Sequence, residues 1–258
     1  GLNYDSFRTD FDYGGDLNSD TRFHIGGFVR QGEGVRDPGY QGESGYQLKA
    51  NLTREFNSGY VRLYDNGRLN PKPIIKIIHE TPSTAVIDGD KGLGLVVAPK
   101  AMEIAMEKAD KVGSGWISVQ NSNHFGIAGY HAMKALHKDM IGWAMTNAAP
   151  LVTPTFSKEK LLGTNPIAVA VPAAENPPFV ADFATTAVAY GKMEILQRKG
   201  APAPLGWVQD KDGNPTDDAN AVKNGGALLP LGGDREHGSH KGYGLGAICD
   251  ILSGVISG

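Results

Sequence analysis

The sequence has few of the features that mark secreted, membrane or nucleic-acid-binding proteins. Its single cysteine, Cys249, cannot form an internal disulfide. No uninterrupted apolar run approaches the roughly 20 residues that a membrane-spanning helix needs. With 25 basic and 28 acidic residues the net charge is −3, which gives no basic field for nucleic acid or anionic lipid. We therefore expect a cytoplasmic protein that acts on a small molecule, with neither a nucleic acid nor a membrane as partner.

Several motifs of catalysis and cofactor binding are also missing. There is no Gly-x-Ser-x-Gly nucleophile elbow and no helical His-Glu-x-x-His. His237 and His240 stand in a loop without a cysteine pair, so we expect no metal site there. The segment GYGLGA (242–247) formally matches the dinucleotide fingerprint, but no strand precedes it and no acidic residue can follow about 20 positions later. We therefore reject a Rossmann-type reading of that segment.

The chain changes character near residue 65. At 258 residues and 40% hydrophobic, it is long enough for one or two domains with a real core. Polar and apolar residues alternate over 21–34 and 46–56, which predicts antiparallel strands joined by turns. The chain opens GLNYDSFRTD, without an initiator Met or a signal sequence, so we expect a piece of a longer protein.

From residue 65 onward, strand patterns alternate with helix patterns. Short apolar strands at 83–88 and 115–120 flank a helix over 98–112, in which Met102, Ala105, Met106 and Ala109 form one stripe. The alternation then continues with helices near 126–139, 188–199 and 243–258 and with strands near 141–147, 165–172 and 177–182. Such a pattern predicts a layered α/β domain.

Polar clusters follow three of the predicted strands: Asn121–His124, Thr146–Ala148 and Asp182–Thr185. Because sites in open α/β sheets form beyond the carboxyl ends of strands, we expect the three clusters at one sheet edge. A histidine there can exchange a proton near neutral pH. The alternatives are that His124 only caps the following helix or bonds a neighbouring carbonyl, and that Asp182 only caps the next helix. His131 and His137 are expected to be exposed.

From about Gly67 to Gly258 the chain resembles the malate/L-lactate dehydrogenase family, which also holds ureidoglycolate and sulfolactate dehydrogenases. The resemblance runs in family order and without a large gap through these motifs: GRLNPKP, AVIDGDKGLG, NSNHFGIAGYHAMKAL, IGWAMTNAAPLVTP, LLGTNPIAVAVP, FVADFATTAVAYGK, GGALLPLGG and SHKGYGLGAICDILSGVISG. It implies a non-Rossmann α/β fold, NAD or NADP as cofactor, a small 2-hydroxy acid or 2-oxo acid as substrate, and a homodimer.

The resemblance also implies roles for individual residues. The histidine of SNHFG, His124, matches the acceptor of the substrate hydroxyl proton. Ala148 of TNAA falls where the family has a cofactor-contacting residue, often Ser, so only a backbone contact is expected here. The run of VADFA and the lysine of SHKGYG match further cofactor contacts, at these residues: Asp182, Phe183, Ala184 and Lys241.

Two departures from the family pattern stand beside these matches. Residues 1–64 lack the family's N-terminal Ser-His-Gly motif and nearby arginine, and resemble a fragment of a TonB-dependent outer-membrane receptor. The chain also ends short of the family's usual C-terminus. We therefore expect residues 1–64 to be foreign to the enzyme family and residues 65–258 to form a partial NAD(P)-binding and catalytic domain. The alternative to an oxidoreductase is a non-catalytic hybrid or partial chain that at most binds nucleotide.

Overall fold

The computed structural model gives the backbone of residues 6–18, 21–32 and 43–54, and residues 66–257 completely. The chain divides into two compact units, Gly1–Asn66 and Gly67–Gly258. The first contains β1 (Ser6–Asn18), β2 (Thr21–Gly32) and β3 (Glu43–Arg54), paired antiparallel in the order β1-β2-β3. The period-two pattern thus predicted β2 and β3 correctly but not β1, whereas the foreign origin of this segment stays a prediction.

The second unit begins with a strand, helix, strand arrangement. Its elements are β4 (Lys76–Glu80), β5 (Thr84–Gly92), α1 (Gly94–Val112) and β6 (Trp116–Ser122). The sheet order is β4-β5-β6, with β5 and β6 parallel and β4 antiparallel to β5. The predicted unit is therefore confirmed, with α1 starting four residues earlier than the periodicity indicates.

Two faces of helix α1 have different surroundings, one in the local core and one along a cavity. Val97 and Ala101 are buried against Ile87 of β5 and form the local core. The predicted stripe, Met102, Ala105, Met106 and Ala109, is half-buried and lines a cavity instead. The helix ends at Gly113, which adopts the left-handed conformation (φ 87°) and donates its N–H to the Ala109 carbonyl.

A second three-stranded sheet follows. After α2 (Ala128–Met133) and a 3₁₀ turn (Lys134–Lys138) come β7 (Gly142–Met145), β8 (Ile167–Val171) and β9 (Phe179–Phe183). The order is β7-β8-β9 and both pairings are antiparallel. The buried core cluster between α2 and this sheet consists of four alanines, Ala128, Ala132, Ala168 and Ala170. The helix therefore lies close to the strands.

The rest of the unit forms the largest core cluster. It contains α3 (Tyr190–Lys199), the short strands β10 (Val208–Gln209), β11 (Pro215–Thr216) and β12 (Ala227–Leu228), and α4 (Ser239–Asp250), which a π-helical turn (Ile251–Val255) extends. Met193, Val208 and Leu228 are fully buried in it. Among the helices that the structure describes, none has the length and apolarity to cross a membrane.

The mixed helix and sheet architecture agrees with the predicted α/β class, but the expectation of a single sheet edge is wrong. His124 follows a strand of the first sheet, whereas Ala148 follows β7 and Asp182 lies within β9, both strands of the second sheet. The reason is physical: an apolar run of five residues reports that a strand is buried, and is the same whether its neighbours run parallel or antiparallel.

Candidate active site

Asn123 explains part of the polar cluster after β6. Its side-chain Nδ2 donates to the Lys91 carbonyl at 2.8 Å, and its backbone N–H donates to the Gly92 carbonyl at 3.0 Å. A Cβ on Gly94 would overlap the Asn123 carbonyl oxygen, so the loop passes directly over the start of α1. Asn123 is therefore a structural residue that fixes the loop to the end of β5.

His124 comes next and contacts its own loop. The Gly126 N–H donates to His124 Nδ1 at 3.2 Å, and Gly126 has a positive φ of 80° that favours glycine. A backbone N–H can only donate, so Nδ1 accepts and the neutral ring carries its proton on Nε2. This bond is made with a backbone N–H and not with the carbonyl that the alternative named, and it is present together with an exposed ring that lines the cavity.

Asp182, in the second sheet, contacts the helix that follows this loop. Its Oδ2 accepts the Gly129 N–H at 2.8 Å, at the first turn of α2. A Cβ on Gly129 would lie 2.7 Å from that oxygen, so glycine permits the approach. Asp182 thus does cap a helix, but it caps α2, which precedes it by 53 residues, and not the next helix, α3.

Ala148 is held by its backbone. Its N–H donates to Asn165 Oδ1 at 3.0 Å, and Asn165 Nδ2 donates to the Gly246 carbonyl of α4 at 2.9 Å. Asn165 is fully buried and has a positive φ of 34°. Sequence reasoning missed this residue, although a lone amide in front of an apolar strand was a signal that could have found it.

A cavity of about 980 Å³ brings some of the predicted site residues together. His124 and Ala148 both line it, as do Phe125, His131 and Trp143. Four predicted cofactor residues do not line this cavity: Asp182, Phe183, Ala184 and Lys241. Asp182 is connected to it through Gly129, Phe183 and Ala184 follow Asp182 in the chain, and Lys241 is exposed in the first turn of α4.

The expectation that His131 is exposed is wrong. His131 is 1% exposed, and its Nε2 lies 2.7 Å from the Phe125 carbonyl oxygen. Burial lowers the pKa of His131, the hydrogen bond to Phe125 opposes this, and the charge of Lys134 lowers the pKa further. The physical reason is that the Phe125 ring stacks on the His131 ring and the Tyr130 ring meets it edge-on, so two aromatic neighbours cover it. His137 is exposed, as predicted.

Other titratable groups lie away from these contacts. His237 pairs with Asp234, with 2.6 Å between Nδ1 and Oδ1, and the backbone N–H of His237 lowers the pKa of the Asp234 carboxyl. Burial raises the pKa of the Cys249 thiol to about 11. Within residues 66–257, no group of three His, Cys, Asp or Glu side chains is arranged to hold a metal ion.

The chain belongs to the malate/L-lactate dehydrogenase family, whose model matches residues 55–258. It is 53% identical over 200 residues to the malate dehydrogenase of Pyrococcus abyssi, covering 77% of this chain and 55% of that protein. It is 48% identical over 197 residues to the L-sulfolactate dehydrogenase of Methanocaldococcus jannaschii, covering 76% and 55%. The structure of malate dehydrogenase from Pyrococcus horikoshii OT3 matches with a TM-score of 0.69 and 48% identity, covering 77% and 53%.

These likenesses confirm the family resemblance and the layered α/β dehydrogenase fold. The match begins at residue 55, ahead of the change in sequence character near residue 65. The likeness of residues 1–64 to an outer-membrane receptor has no support among them. The chain spans about 55% of the length of the curated relatives it matches.

Proposed function

We propose that this chain carries the proton-transfer residue and part of the cofactor site of an NAD(P)-dependent 2-hydroxyacid dehydrogenase. The observation that carries the proposal is the position of His124 beside a large cavity, on a loop that Asn123 fixes to the first sheet and that leads into a helix capped by Asp182 of the second. Anchored loops suit catalysis because the reacting group must be held in a productive geometry. Membership of the malate/L-lactate dehydrogenase family supports the reaction class.

The cavity has properties that suit a nicotinamide. Its volume of about 980 Å³ falls within the range typical of ligand sites. Met102, Met106 and Trp143 supply an apolar wall, and the backbone around Ala148 supplies a polar edge. Since the Ala148 N–H already donates to Asn165, its carbonyl oxygen is the group left to contact a carboxamide. The residues present therefore fit the ring end of the cofactor.

The remaining predicted contacts belong to the other end of the cofactor in this proposal. Asp182 keeps Oδ1 for a cofactor hydroxyl while Oδ2 caps α2. Phe183 and Ala184 continue from it along the chain, and the Lys241 ammonium is suited to a phosphate. Because these residues lie outside the cavity, they would hold parts of NAD(P) that extend beyond it.

The chemistry of the chain's own residues is a proton transfer. When bound, the nicotinamide supplies a hydride to the carbonyl carbon of a 2-oxo acid or accepts one from a 2-hydroxy acid. In the reduction, doubly protonated His124 gives its Nε2 proton to the substrate oxygen and is left neutral with the other proton on Nδ1, and the oxidation is the reverse of this transfer. In its described state the neutral ring has an Nε2–H, which can donate a hydrogen bond to a carbonyl oxygen and can be given up as a proton only after a second proton is bound at Nδ1. A doubly protonated ring has no acceptor at Nδ1, so the Gly126 contact must open when His124 holds its second proton.

Fluorescence titration with NADH and NADPH, followed by turnover with oxaloacetate and pyruvate, tests this function. We expect cofactor binding and 2-oxo acid reduction, and we expect His124→Gln to lower kcat by roughly a hundredfold or more with cofactor affinity nearly unchanged. His137→Gln, on an exposed histidine of the 3₁₀ turn, is the matched control and should leave both quantities unchanged.

The outcomes separate the candidate functions. Cofactor binding without turnover would favour the alternative, a partial chain that at most binds nucleotide. Turnover that survives His124→Gln would move the proton transfer to another group. Failure to bind either cofactor would contradict the proposed site.

A further inference from the structure

One peptide group lies between two histidine rings. Its carbonyl oxygen, on Phe125, is 2.7 Å from His131 Nε2, and its N–H, on Gly126, donates to His124 Nδ1 at 3.2 Å. A peptide group is planar and rigid, so its C=O and N–H turn together. A rotation of this group therefore changes both contacts at once.

The proton positions along this connection follow from the partners. A carbonyl oxygen only accepts, so His131 must carry a proton on Nε2. Its Nδ1 is buried and has no hydrogen-bond partner in the described part of the chain. A second proton there would be a buried donor without an acceptor, which is costly. The neutral ring avoids this, and burial lowers the pKa of His131 in the same sense.

The His131 ring is also fixed in place. Its centroid lies 4.9 Å from that of the Phe125 ring, which stacks on it, and 5.2 Å from that of Tyr130, which meets it edge-on. The helix that carries it is capped at Gly129 by Asp182 of the second sheet. The His131 donor therefore has a defined position relative to both Phe125 and the sheet.

We propose that His131 is a positioning residue for His124. Its Nε2–H holds the Phe125–Gly126 peptide group in the orientation that directs the Gly126 N–H at His124 Nδ1. This orientation keeps the proton of neutral His124 on Nε2. The catalytic consequence rests on the proposed function, whereas the tautomer is a property of the protein alone.

Long-range ¹H–¹⁵N NMR of histidine-labelled protein, without cofactor and at a pH above the histidine range, tests the tautomers directly. Spectra of His124→Gln and His131→Phe assign the two rings. We expect both to be Nε2–H tautomers in the unaltered protein. His131→Phe keeps an aromatic ring but removes the donor, so His124 should become a mixture of tautomers.

Two further variants make the comparison sharp. His131→Gln supplies a side-chain N–H for the Phe125 carbonyl and should restore the Nε2–H form of His124. His137→Phe removes an exposed histidine and should change nothing. An Nδ1–H tautomer at either ring of the unaltered protein, or an unchanged His124 in His131→Phe, would overturn the proposal. If His131→Phe does not fold, His131→Leu, which also lacks the donor, replaces it in the same comparison, and an Nδ1–H tautomer in the unaltered protein would still overturn the proposal.

Steady-state kinetics give a second readout. His131→Phe should lower kcat by roughly tenfold with an unchanged KM for NADH, and His131→Gln should recover most of the loss. Equal losses in kcat and in cofactor binding would indicate a general structural role and contradict positioning. If the tautomers respond as expected but neither the unaltered protein nor any variant reduces a 2-oxo acid, the proposed function fails while the positioning role stands.

Discussion

The two sheets of the second unit contribute to the candidate site in different ways. The first contains a parallel pair, β5 and β6, and delivers His124 from the end of a strand. The second is wholly antiparallel and contributes Asp182 from within β9. His124 thus follows the first sheet along the chain, while the helix after its loop, α2, is held at Gly129 by the second sheet.

The two sheets also differ in how their helices approach them. Helix α1 packs on the first sheet through branched side chains, such as Val97 of the helix against Ile87 of β5. Helix α2 packs on the second through alanines, which leaves room for little except backbone. Close packing of this kind tolerates no added atoms. An added atom between α2 and the sheet should therefore displace the helix, and with it the His124 loop.

Adding a methyl group at one glycine beside each helix tests this difference and should give the largest effects. A Cβ on Gly115 would overlap the Ala105 carbonyl oxygen of α1, and a Cβ on Gly142 would overlap the Ala132 carbonyl oxygen of α2. Each Gly→Ala variant should lower the free energy of unfolding by roughly 2–3 kcal/mol in urea titrations. Only Gly142→Ala should also disturb the His124 tautomer.

Gly191→Ala is the matched control for these variants. Nothing lies within 4 Å of a Cβ at Gly191 in α3, so alanine there should be neutral or stabilising by up to about 1 kcal/mol. If Gly115→Ala and Gly142→Ala changed the His124 tautomer equally, the two sheets would not differ in how closely they are coupled to the His124 loop.

A smaller effect is expected from the cap that joins the second sheet to the loop. Asp182→Ala removes the acceptor of the Gly129 N–H and should destabilise the protein by about 1 kcal/mol, the usual range for a lost helix cap. Asp182→Asn keeps a side-chain oxygen and should lose less. Urea titrations of the two variants measure the difference, and identical losses would show that the oxygen does not act as a cap.

The sequence predicts local structure better than it predicts these connections. The periodicity located β5, α1, β6 and α3 because apolar residues recur at different spacings in helices and strands, although the face of α1 that is buried in the core contains Val97 and Ala101 and is not the predicted stripe. It could not separate the two sheets, since a buried strand looks the same beside either neighbour. The Asn165–Gly246 and Gly129–Asp182 hydrogen bonds join residues 81 and 53 positions apart, and no local pattern encodes such a pairing.

The smallest effect concerns pH and distinguishes the two histidines of the shared loop. Burial lowers the pKa of His131 from its ordinary value of 6.5, with Lys134 acting in the same direction and the Phe125 carbonyl opposing. The unfolded chain therefore binds a proton at His131 at a higher pH than the folded chain does. The stabilisation is fully present above pH 6.5 and is lost as the pH falls through the folded value.

Urea titrations across this pH range should show a stability that falls on acidification, with a contribution from His131 of at most about one proton. His131→Phe removes the titrating group and should flatten the dependence, whatever its effect on stability at neutral pH. His137→Phe, at an exposed position, should retain the full slope. Parallel curves for the unaltered protein and His131→Phe would mean that His131 takes up its proton equally well in the folded and unfolded chains. In that case the contact with the Phe125 carbonyl would not depend on a neutral ring, because Nε2 donates in either charge state.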